Sequence, residues 1–319
     1  MAQFSRIECL PEIRVKGIVF NSSACNVSTV KTEAAMKLKG WKRHGSANSI
    51  RVMIALAVGL VAVVYLALGA FVFGTQRSML YFPTVRTAEQ VDEASARANL
   101  QRWIGPNGQF IGLKRNSPGQ QAQGTVLITY GNGSSAVGCG RYVTDIQKVA
   151  AFDVFILEYP GYQDRAGKPT QTSLFQAGDE AFQSLPTNSP IYLVGESLGS
   201  AVACHIAGTY SNRIAAVILI SPFDNMTDVA QSHIVIYPVK WMLQDRFASG
   251  DYLRNYHGRV GIAVDGRDFT VPERFGRRLF DGYAGTKKLW EFPEGGHIHI
   301  EQPAVFWMEA VAFLQGSPS

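Results

Sequence analysis

The chain has 319 residues, of which 46% are hydrophobic, so it is long enough for one large α/β domain with additional segments. Its net charge of +5 is concentrated at the N-terminus, because residues 1–51 hold nine of the 30 basic residues and three of the 25 acidic ones. The remainder is close to neutral, which argues against a nucleic-acid-binding surface.

The basic N-terminal segment, residues 1–51, is predicted to be cytoplasmic. Its first 35 residues show no clear hydrophobic period and contain Cys9 and Cys25. Met36 would itself begin a basic lead-in to the apolar stretch that follows. Residues 1–35 are therefore either a cytoplasmic tail or an over-extended start.

Residues 52–73 read VMIALAVGLVAVVYLALGAFVF, without charge or proline. At about 1.5 Å per residue, a helix of this length crosses the roughly 30 Å of bilayer hydrocarbon, which predicts a single-pass transmembrane anchor. Basic residues precede the stretch and only Arg77 follows closely, so the positive-inside rule places the N-terminus in the cytoplasm and the rest of the chain on the extracytoplasmic side. A cleaved signal peptide is the alternative, but its apolar core normally has about 7–15 residues.

Beyond the anchor, residues 76–316 alternate short apolar strands with helices, which predicts a mostly parallel, doubly covered sheet. The functional groups of such a sheet lie at the carboxyl ends of its strands. Ile111–Arg115 is expected to add an antiparallel edge hairpin. The predicted strands are Thr125–Tyr130, Val154–Tyr159, Ile191–Val194, Val217–Ile220, Val260–Val264 and Lys288–Phe292, and the predicted helices are Arg141–Ala150, Ser173–Leu185, Leu198–Thr209, Glu273–Phe280 and Ala304–Leu314.

One pentapeptide, GESLG, places Ser197 between Gly195 and Gly199. A strand precedes the serine and a helix of small residues follows it, so Ser197 lies at a strand-turn-helix corner. In so tight a turn the positions two before and two after the serine must lack a bulky Cβ. The pattern therefore predicts a nucleophile elbow.

A serine nucleophile needs a histidine base, which in hydrolases of this type follows it in the chain. His297 comes after a predicted strand and a glycine-rich turn, where a base can reach the elbow, and it is preferred to His299 two residues later. The other histidines after the serine lie on the elbow helix or in a segment without strands, and they are His205, His233 and His257.

The acid that orients the base should follow a strand between the serine and the histidine. Asp265 and Asp268 both follow the predicted strand Val260–Val264. Asp268 lies further out on the loop and is preferred, which leaves Asp265 as a strand-end carboxylate. Asp224 is a third candidate.

An oxyanion hole needs two N–H donors, of which one comes from the residue after the nucleophile, here Leu198. The second donor comes from an earlier strand-end loop. The strand Thr125–Tyr130 runs into Gly131, Asn132 and Gly133, which makes Asn132 the predicted second donor. A phosphate-binding glycine loop is the alternative, but neither of its motifs follows.

Between residues 223 and 258 the strand rhythm stops, which predicts a small helical cap over the nucleophile. We interpret its aromatic residues as a cap core rather than as ligand contacts. Cys139 and Cys204 lack metal or redox spacing, and all four cysteines are predicted to be free. The cap aromatics are Tyr237, Trp241, Phe247 and Tyr252.

Eight pieces occur in order from Gln76 to the C-terminus, namely QRSMLYFP, YGNGS, EYPGY, GESLGSAVA, SPFDNM, DRF, GRDFTVP and GGH. With them the chain resembles the membrane-anchored α/β-hydrolase-domain serine hydrolases, which share features with serine aminopeptidase-like members of the same superfamily. The resemblance implies the α/β-hydrolase fold and a triad of Ser197, Asp268 and His297.

The sequence departs from this family at two positions. Tyr130 stands where relatives usually carry histidine before Gly-Asn, and Gln163 replaces the glycine expected after Pro-Gly-Tyr. Neither change removes a backbone donor, so both are compatible with catalysis.

These features predict a membrane-anchored serine hydrolase that cleaves an ester or thioester of a small-molecule or lipid acyl substrate through an acyl-enzyme. The prediction includes no metal or organic cofactor and no nucleic acid. One alternative is an aminopeptidase-like enzyme, which would need an acidic cap residue such as Asp228, Asp245 or Asp251 to hold a free amine. A non-catalytic membrane-tethered binding protein is the alternative from another class.

Overall fold

The computed structural model describes residues 46–119, 121–298 and 303–316, so Cys9, Cys25 and His299 lie outside the described residues. The chain divides into two compact units, one up to Tyr65 and one from Leu66 onward. An apolar helix, α1 (Ser46–Leu80), extends past both predicted ends of the anchor. Its length and composition would allow it to cross a membrane.

The second unit is built on one eight-stranded sheet with strand order β1-β2-β4-β3-β5-β6-β7-β8. The first two strands form the antiparallel edge hairpin, and β2 is antiparallel to β4. The strands from β3 to β8 are parallel to one another. The strand bounds are β1 (Gln101–Ile104), β2 (Phe110–Arg115), β3 (Gly124–Thr129), β4 (Phe152–Leu157), β5 (Ile191–Glu196), β6 (Ile214–Ile220), β7 (Arg259–Asp265) and β8 (Lys287–Phe292).

The helices that alternate with these strands confirm the predicted α/β architecture. A short helix before the hairpin was not predicted, although its capping box, in which Thr87 and Gln90 bond each other's backbone N–H, is readable in the sequence. The helices of the second unit are α2 (Ala88–Arg97), α3 (Gly140–Val149), α4 (Gln171–Gln183), α5 (Leu198–Thr209), α6 (Met226–His233), α7 (Val239–Met242), α8 (Ser249–Leu253), α9 (Glu273–Gly282) and α10 (Pro303–Gln315).

The centre of the sheet is wholly buried, since every residue of β3 and β5 is buried. Apolar and β-branched residues suit strands that are covered on both faces. Because β3, β5, β7 and β8 are parallel, the loops that follow them begin at the same edge of the sheet. The residues predicted for the site lie in these loops, except Leu198, which begins the helix after β5.

The segment predicted to form the cap contains three short helices, α6, α7 and α8. Phe247 is fully buried and Tyr237 nearly so, which confirms the cap-core interpretation for these two rings. Trp241 departs from that interpretation, because 81% of its surface is exposed. Cys139 and Cys204 are buried and free, as predicted.

Candidate functional site

Ser197 stands alone between the end of β5 and the start of α5. Its backbone is in the left-handed region, with φ 49° and ψ −117°, and its N–H donates to the carbonyl of Ile220 at 2.8 Å. A non-glycine residue at positive φ is uncommon, and such strain concentrates at functional sites. The predicted corner is therefore present, and it holds the serine in a strained conformation.

The two glycines of the motif allow this corner to close. A Cβ at Gly199 would lie 2.2 Å from the carbonyl oxygen of Thr129, and one at Gly195 would lie 2.7 Å from the Cα of Ser200. Both neighbours are backbone atoms, which cannot rotate away. Only glycine permits the helix to approach β3 and β5 this closely.

His297 connects the serine to a carboxylate. Its Nε2 lies 3.0 Å from the Oγ of Ser197, and its Nδ1 lies 2.6 Å from the Oδ2 of Asp268. The carboxylate of Asp268 is almost completely buried, whereas about a quarter of the imidazole is exposed. The structure thus brings the three residues together in the order that proton transfer from the serine requires.

The loop after β7 orients the Asp268 carboxylate. Its Oδ1 accepts the backbone N–H groups of Thr270 and Val271 at 2.8 and 2.7 Å, which leaves Oδ2 to face His297. Asp265 ends the strand itself, and its Oδ2 accepts the hydroxyl of Ser221 at 2.6 Å. The two carboxylates therefore make different contacts, and Asp268 is the one that bonds His297.

Ser221 is a contributor that the sequence did not reveal. It directly follows β6, has φ 46°, and its Oγ accepts the backbone N–H of Ile298 at 3.2 Å while bonding Asp265. This contact fixes the backbone next to His297. The only sequence signal is its place at a strand end, shared by many residues with no such role.

The remaining candidates lie in other contacts. His205 bonds Asp179 at 3.1 Å and stacks on Phe175, as expected of a packed helix residue. His233 reaches the carbonyl of Thr270 at 3.0 Å. Asp224 pairs with Arg278 at 2.7 Å and, with His257, lines a cavity of about 740 Å³ that none of Ser197, Asp268 and His297 lines.

The loop after β3 lies beside the serine, since a Cβ at Gly131 would be 3.1 Å from the Cβ of Ser197. The Gly131 N–H donates to Glu196 at 3.3 Å. The Asn132 side chain bonds other groups, because its Oδ1 accepts from the Phe82 N–H and the Tyr162 hydroxyl and its Nδ2 donates to the carbonyl of Leu80. The main-chain N–H of Asn132 is therefore the group to which the oxyanion prediction refers.

Leu198 is the first residue of α5, where backbone N–H groups have no partner within the helix. The N-terminus of a helix also carries partial positive charge. These properties suit an anion beside Ser197, and the role of Leu198 and Asn132 as oxyanion donors stays a prediction.

The two departures from the family pattern have structural explanations. Tyr130 is fully buried, where its hydroxyl bonds Glu158 and accepts the Tyr159 N–H at 3.2 Å. Gln163 has φ 52°, a conformation that favours glycine, and its backbone N–H donates to the carbonyl of Thr84 at 2.7 Å. Each residue thus bonds a neighbouring segment of the chain.

Two buried carboxylates support the Gly131 loop from behind. Glu196 accepts the Gly131 N–H and, at 2.5 Å, the Tyr142 hydroxyl. Glu158 accepts the Ala136 N–H at 3.1 Å. Burial raises the pKa of Glu158 to about 7, against hydrogen bonds that lower it.

The raised pKa predicts a pH-dependent stability. The folded protein holds the Glu158 proton up to about pH 7, whereas the ordinary pKa of 4.5 applies to the unfolded chain. Stability should therefore decrease as pH rises through this window, by about 3 kcal/mol at most. In Glu158→Gln this contribution is absent, so melting temperatures between pH 5 and 8 should depend less on pH.

Glu93→Gln on the exposed surface of α2 is the matched control, because it makes the same chemical change outside the core. The melting temperature of Glu93→Gln should depend on pH as that of the wild type does. If the melting temperatures of the wild type and Glu158→Gln changed equally with pH, the assignment of this effect to Glu158 would be contradicted.

Within the described ranges, no group of three or more histidine, cysteine, aspartate or glutamate side chains has the arrangement of a metal site.

Comparisons with known proteins agree with this fold. A family model described as the alpha/beta hydrolase fold matches residues 124–258. An uncharacterized protein of Mycobacterium tuberculosis is 27% identical over 256 residues, covering 75% of this chain and 86% of that protein. The lysophosphatidylserine lipase of Mus musculus is 26% identical over 193 residues, covering 54% of this chain and 48% of the lipase. The match thus spans about half the length of the mouse lipase.

Solved structures of the same architecture include enzymes that act on esters. An esterase of Pyrococcus furiosus superposes with a TM-score of 0.55 at 14% identity, covering 70% of this chain and 95% of the esterase. The monoacylglycerol lipase of Paleococcus ferrophilus gives a TM-score of 0.50 at 19% identity, covering 68% and 98%. At these identities the likeness concerns the fold alone.

Proposed function

The chain belongs to the α/β-hydrolase superfamily, and we propose that this hydrolase is a membrane-anchored serine enzyme that cleaves carboxylic esters or thioesters of acyl lipids. One observation carries the proposal, namely the bridge that His297 makes between the Ser197 hydroxyl and the Asp268 carboxylate. A serine hydroxyl is a weak nucleophile until an oriented base removes its proton. The bridge supplies that base together with the group that orients it.

The proposed reaction has two halves. Ser197 Oγ attacks the substrate carbonyl while His297 Nε2 takes the hydroxyl proton, and Asp268 stabilises the resulting imidazolium. The carbonyl oxygen becomes an oxyanion, which the N–H groups of Leu198 and Asn132 stabilise. The intermediate then collapses, His297 returns the proton to the departing alcohol or thiol, and the acyl group remains on Ser197.

Water completes the cycle. His297 removes a proton from a water molecule, which attacks the acyl carbonyl, and the second tetrahedral intermediate releases the carboxylic acid as Ser197 regains its proton. The protons balance over the two halves, because the proton taken from Ser197 leaves with the alcohol or thiol and one of the protons of water returns to Ser197.

An acyl lipid is favoured as substrate by the names of relatives and by the anchor. Two of the similar proteins are lipases by name, one for lysophosphatidylserine and one for monoacylglycerol. The apolar helix α1, with the positive-inside rule, supports a single-pass protein whose catalytic unit lies on the extracytoplasmic side. Such an enzyme meets its substrate in the bilayer that holds it.

The aminopeptidase-like alternative needs an acidic cap group that can bind a free amine. Each of the three candidates already pairs with an arginine: Asp228 with Arg278, Asp245 with Arg77, and Asp251 with Arg254. These pairs favour an ester over a peptide with a free N-terminus. The binding-protein alternative has no use for the bridge between Ser197 and Asp268.

Labelling with a fluorophosphonate probe tests the proposal without a guess about substrate. The wild-type protein, solubilised in detergent, should react at Ser197, and both Ser197→Ala and His297→Ala should lose the label. A folded wild-type protein that stays unlabelled would remove the support for a serine hydrolase and favour a binding protein.

A further inference from the structure

The cap carries a run of exposed apolar side chains in the segment Ile234–Leu243, which we call the cap segment. Val235, Ile236 and Trp241 are exposed by 78%, 66% and 81%. Single exposed apolar residues are common on soluble proteins, but several large ones in one short segment indicate a contact surface.

The cap segment packs against the last turns of α1. A Cβ at Gly69 would lie 3.1 Å from Cε1 of Tyr237, so the ring packs closely against the helix at this glycine. Val72 and Phe73 line a small apolar cleft together with cap residues that include Ile234. The ring of Tyr237 therefore touches a part of α1 that belongs to the predicted membrane span.

Polar contacts just beyond the span hold the cap in this position. The side chain of Gln76 donates to the carbonyl of Met242 at 3.2 Å and accepts the N–H of Gln244 at 2.9 Å. The next residue of the cap, Asp245, is buried. Its carboxylate accepts from Arg77 and from the hydroxyl of Tyr81, both at 3.1 Å. The cap thus cannot move away from the end of the span without breaking these bonds.

The depth of the contact follows from helix geometry. Gly69 precedes Phe73, the last apolar residue of the span, by four residues, which corresponds to about 6 Å along the helix. Tyr237, which touches Gly69, then lies about 6 Å inside the end of the apolar stretch. Segments that rest in a membrane interface bury their apolar face by about 5–10 Å.

The charges of the cap segment suit the same location. Lys240 is exposed next to Trp241, and Arg246 is exposed shortly after the segment. Tryptophan is typical of the headgroup level on either side of a membrane, and a long lysine or arginine side chain can extend from there into water.

The cap segment also adjoins the catalytic loops. His233, the residue before it, contacts the carbonyl of Thr270, whose N–H binds Asp268. Phe269, which lies between Asp268 and Thr270 in the chain, is exposed by 85%. A membrane surface at the cap segment would therefore lie beside the loop that carries the catalytic acid.

We propose that the cap segment inserts into the interface of the bilayer that holds α1, as a second membrane contact, and admits lipid substrate to Ser197 directly from that bilayer. This inference rests on the proposed function, because it needs both the anchor and the serine hydrolase. The second contact shortens the path of an apolar acyl chain to the serine and spares it a passage through water.

A fluorophore can locate the cap segment in the full chain. Val235→Cys, in a background with Cys9→Ser and Cys25→Ser, would be labelled with a nitrobenzoxadiazole probe and reconstituted in phosphatidylcholine–phosphatidylglycerol vesicles. We expect a blue-shifted emission that spin-labelled lipids quench. Met308→Cys, at an exposed apolar site of α10, is the matched control and should show neither effect. Equal emission and equal lack of quenching at both sites would overturn the proposal.

A second variant tests the consequence for substrate access. Two hydrolysis rates are compared, that of a monoacyl lipid in vesicles and that of a soluble butyrate ester. Val235→Asp combined with Ile236→Asp should lower the ratio of the first rate to the second severalfold. Met308→Asp should leave the ratio unchanged. An unchanged ratio in the double variant would overturn substrate entry from the bilayer.

The two proposals fail in different ways. Loss of fluorophosphonate labelling in the wild type would contradict the proposed chemistry, and release of the chain from membranes by alkaline carbonate would contradict the anchor. Quenching at residue 235 does not depend on catalysis, so it reports on the cap segment alone.

Discussion

Replacing His297 by alanine is expected to lower kcat/KM for ester hydrolysis by a factor of about 10⁴ or more. Without the imidazole, Ser197 keeps its proton and the departing group receives none. Asp268→Asn should lower the rate by roughly 10⁴ as well, because the amide would present an N–H to Nδ1 and favour the wrong tautomer. Initial rates with a short soluble ester would measure both effects.

The chain offers a control for the replacement of the histidine. His205 also bonds a carboxylate, that of Asp179, but it stacks on Phe175 and does not contact Ser197. His205→Asn should therefore retain the wild-type kcat/KM. Because the three site residues act as one unit, Ser197→Ala with His297→Ala should be hardly slower than either single variant. Additive losses would contradict the bridge through His297.

Replacing Gly199 by alanine is expected to destabilise the fold by about 4 kcal/mol or more, which corresponds to a fall in melting temperature of about 10 °C or more. Helix propensity alone predicts the opposite, since alanine is better than glycine in a helix by about 1 kcal/mol. The added Cβ would lie 2.2 Å from the carbonyl oxygen of Thr129, in the neighbouring strand. The strand or the helix must shift, and the elbow shifts with it.

Gly282→Ala provides the comparison, because it makes the same change at the end of α9, where nothing lies within 4 Å of the added Cβ. Its melting temperature should be close to that of the wild type. A Gly199→Ala variant that melts as high as the wild type and still reacts with the fluorophosphonate would contradict the close approach of α5 to β3.

Local patterns in the sequence were sufficient for the architecture. The helix Leu198–Thr209 has the predicted bounds, and the strand Ile191–Glu196 begins where predicted, because apolar runs and breakers act over a few residues. The strand Ile214–Ile220 begins three residues earlier than predicted, since its first residues, Ile-Ala-Ala, do not differ in composition from a helix. The glycines at 195 and 199 revealed the elbow for the same local reason.

The sequence by itself thus determined the fold class, the apolar helix, and Ser197 as a corner residue. Only the tertiary structure decided which of Asp265 and Asp268 faces His297, because the choice depends on atoms in loops after different strands. Ser197 and His297 are 100 residues apart in the chain, yet their side chains lie 3.0 Å from each other. Glu158 behind the Gly131 loop and Tyr237 against Gly69 are likewise contacts between segments that are distant in the sequence. Contacts between distant segments leave no period or spacing in the sequence, since they follow from how the strands align and how the cap packs.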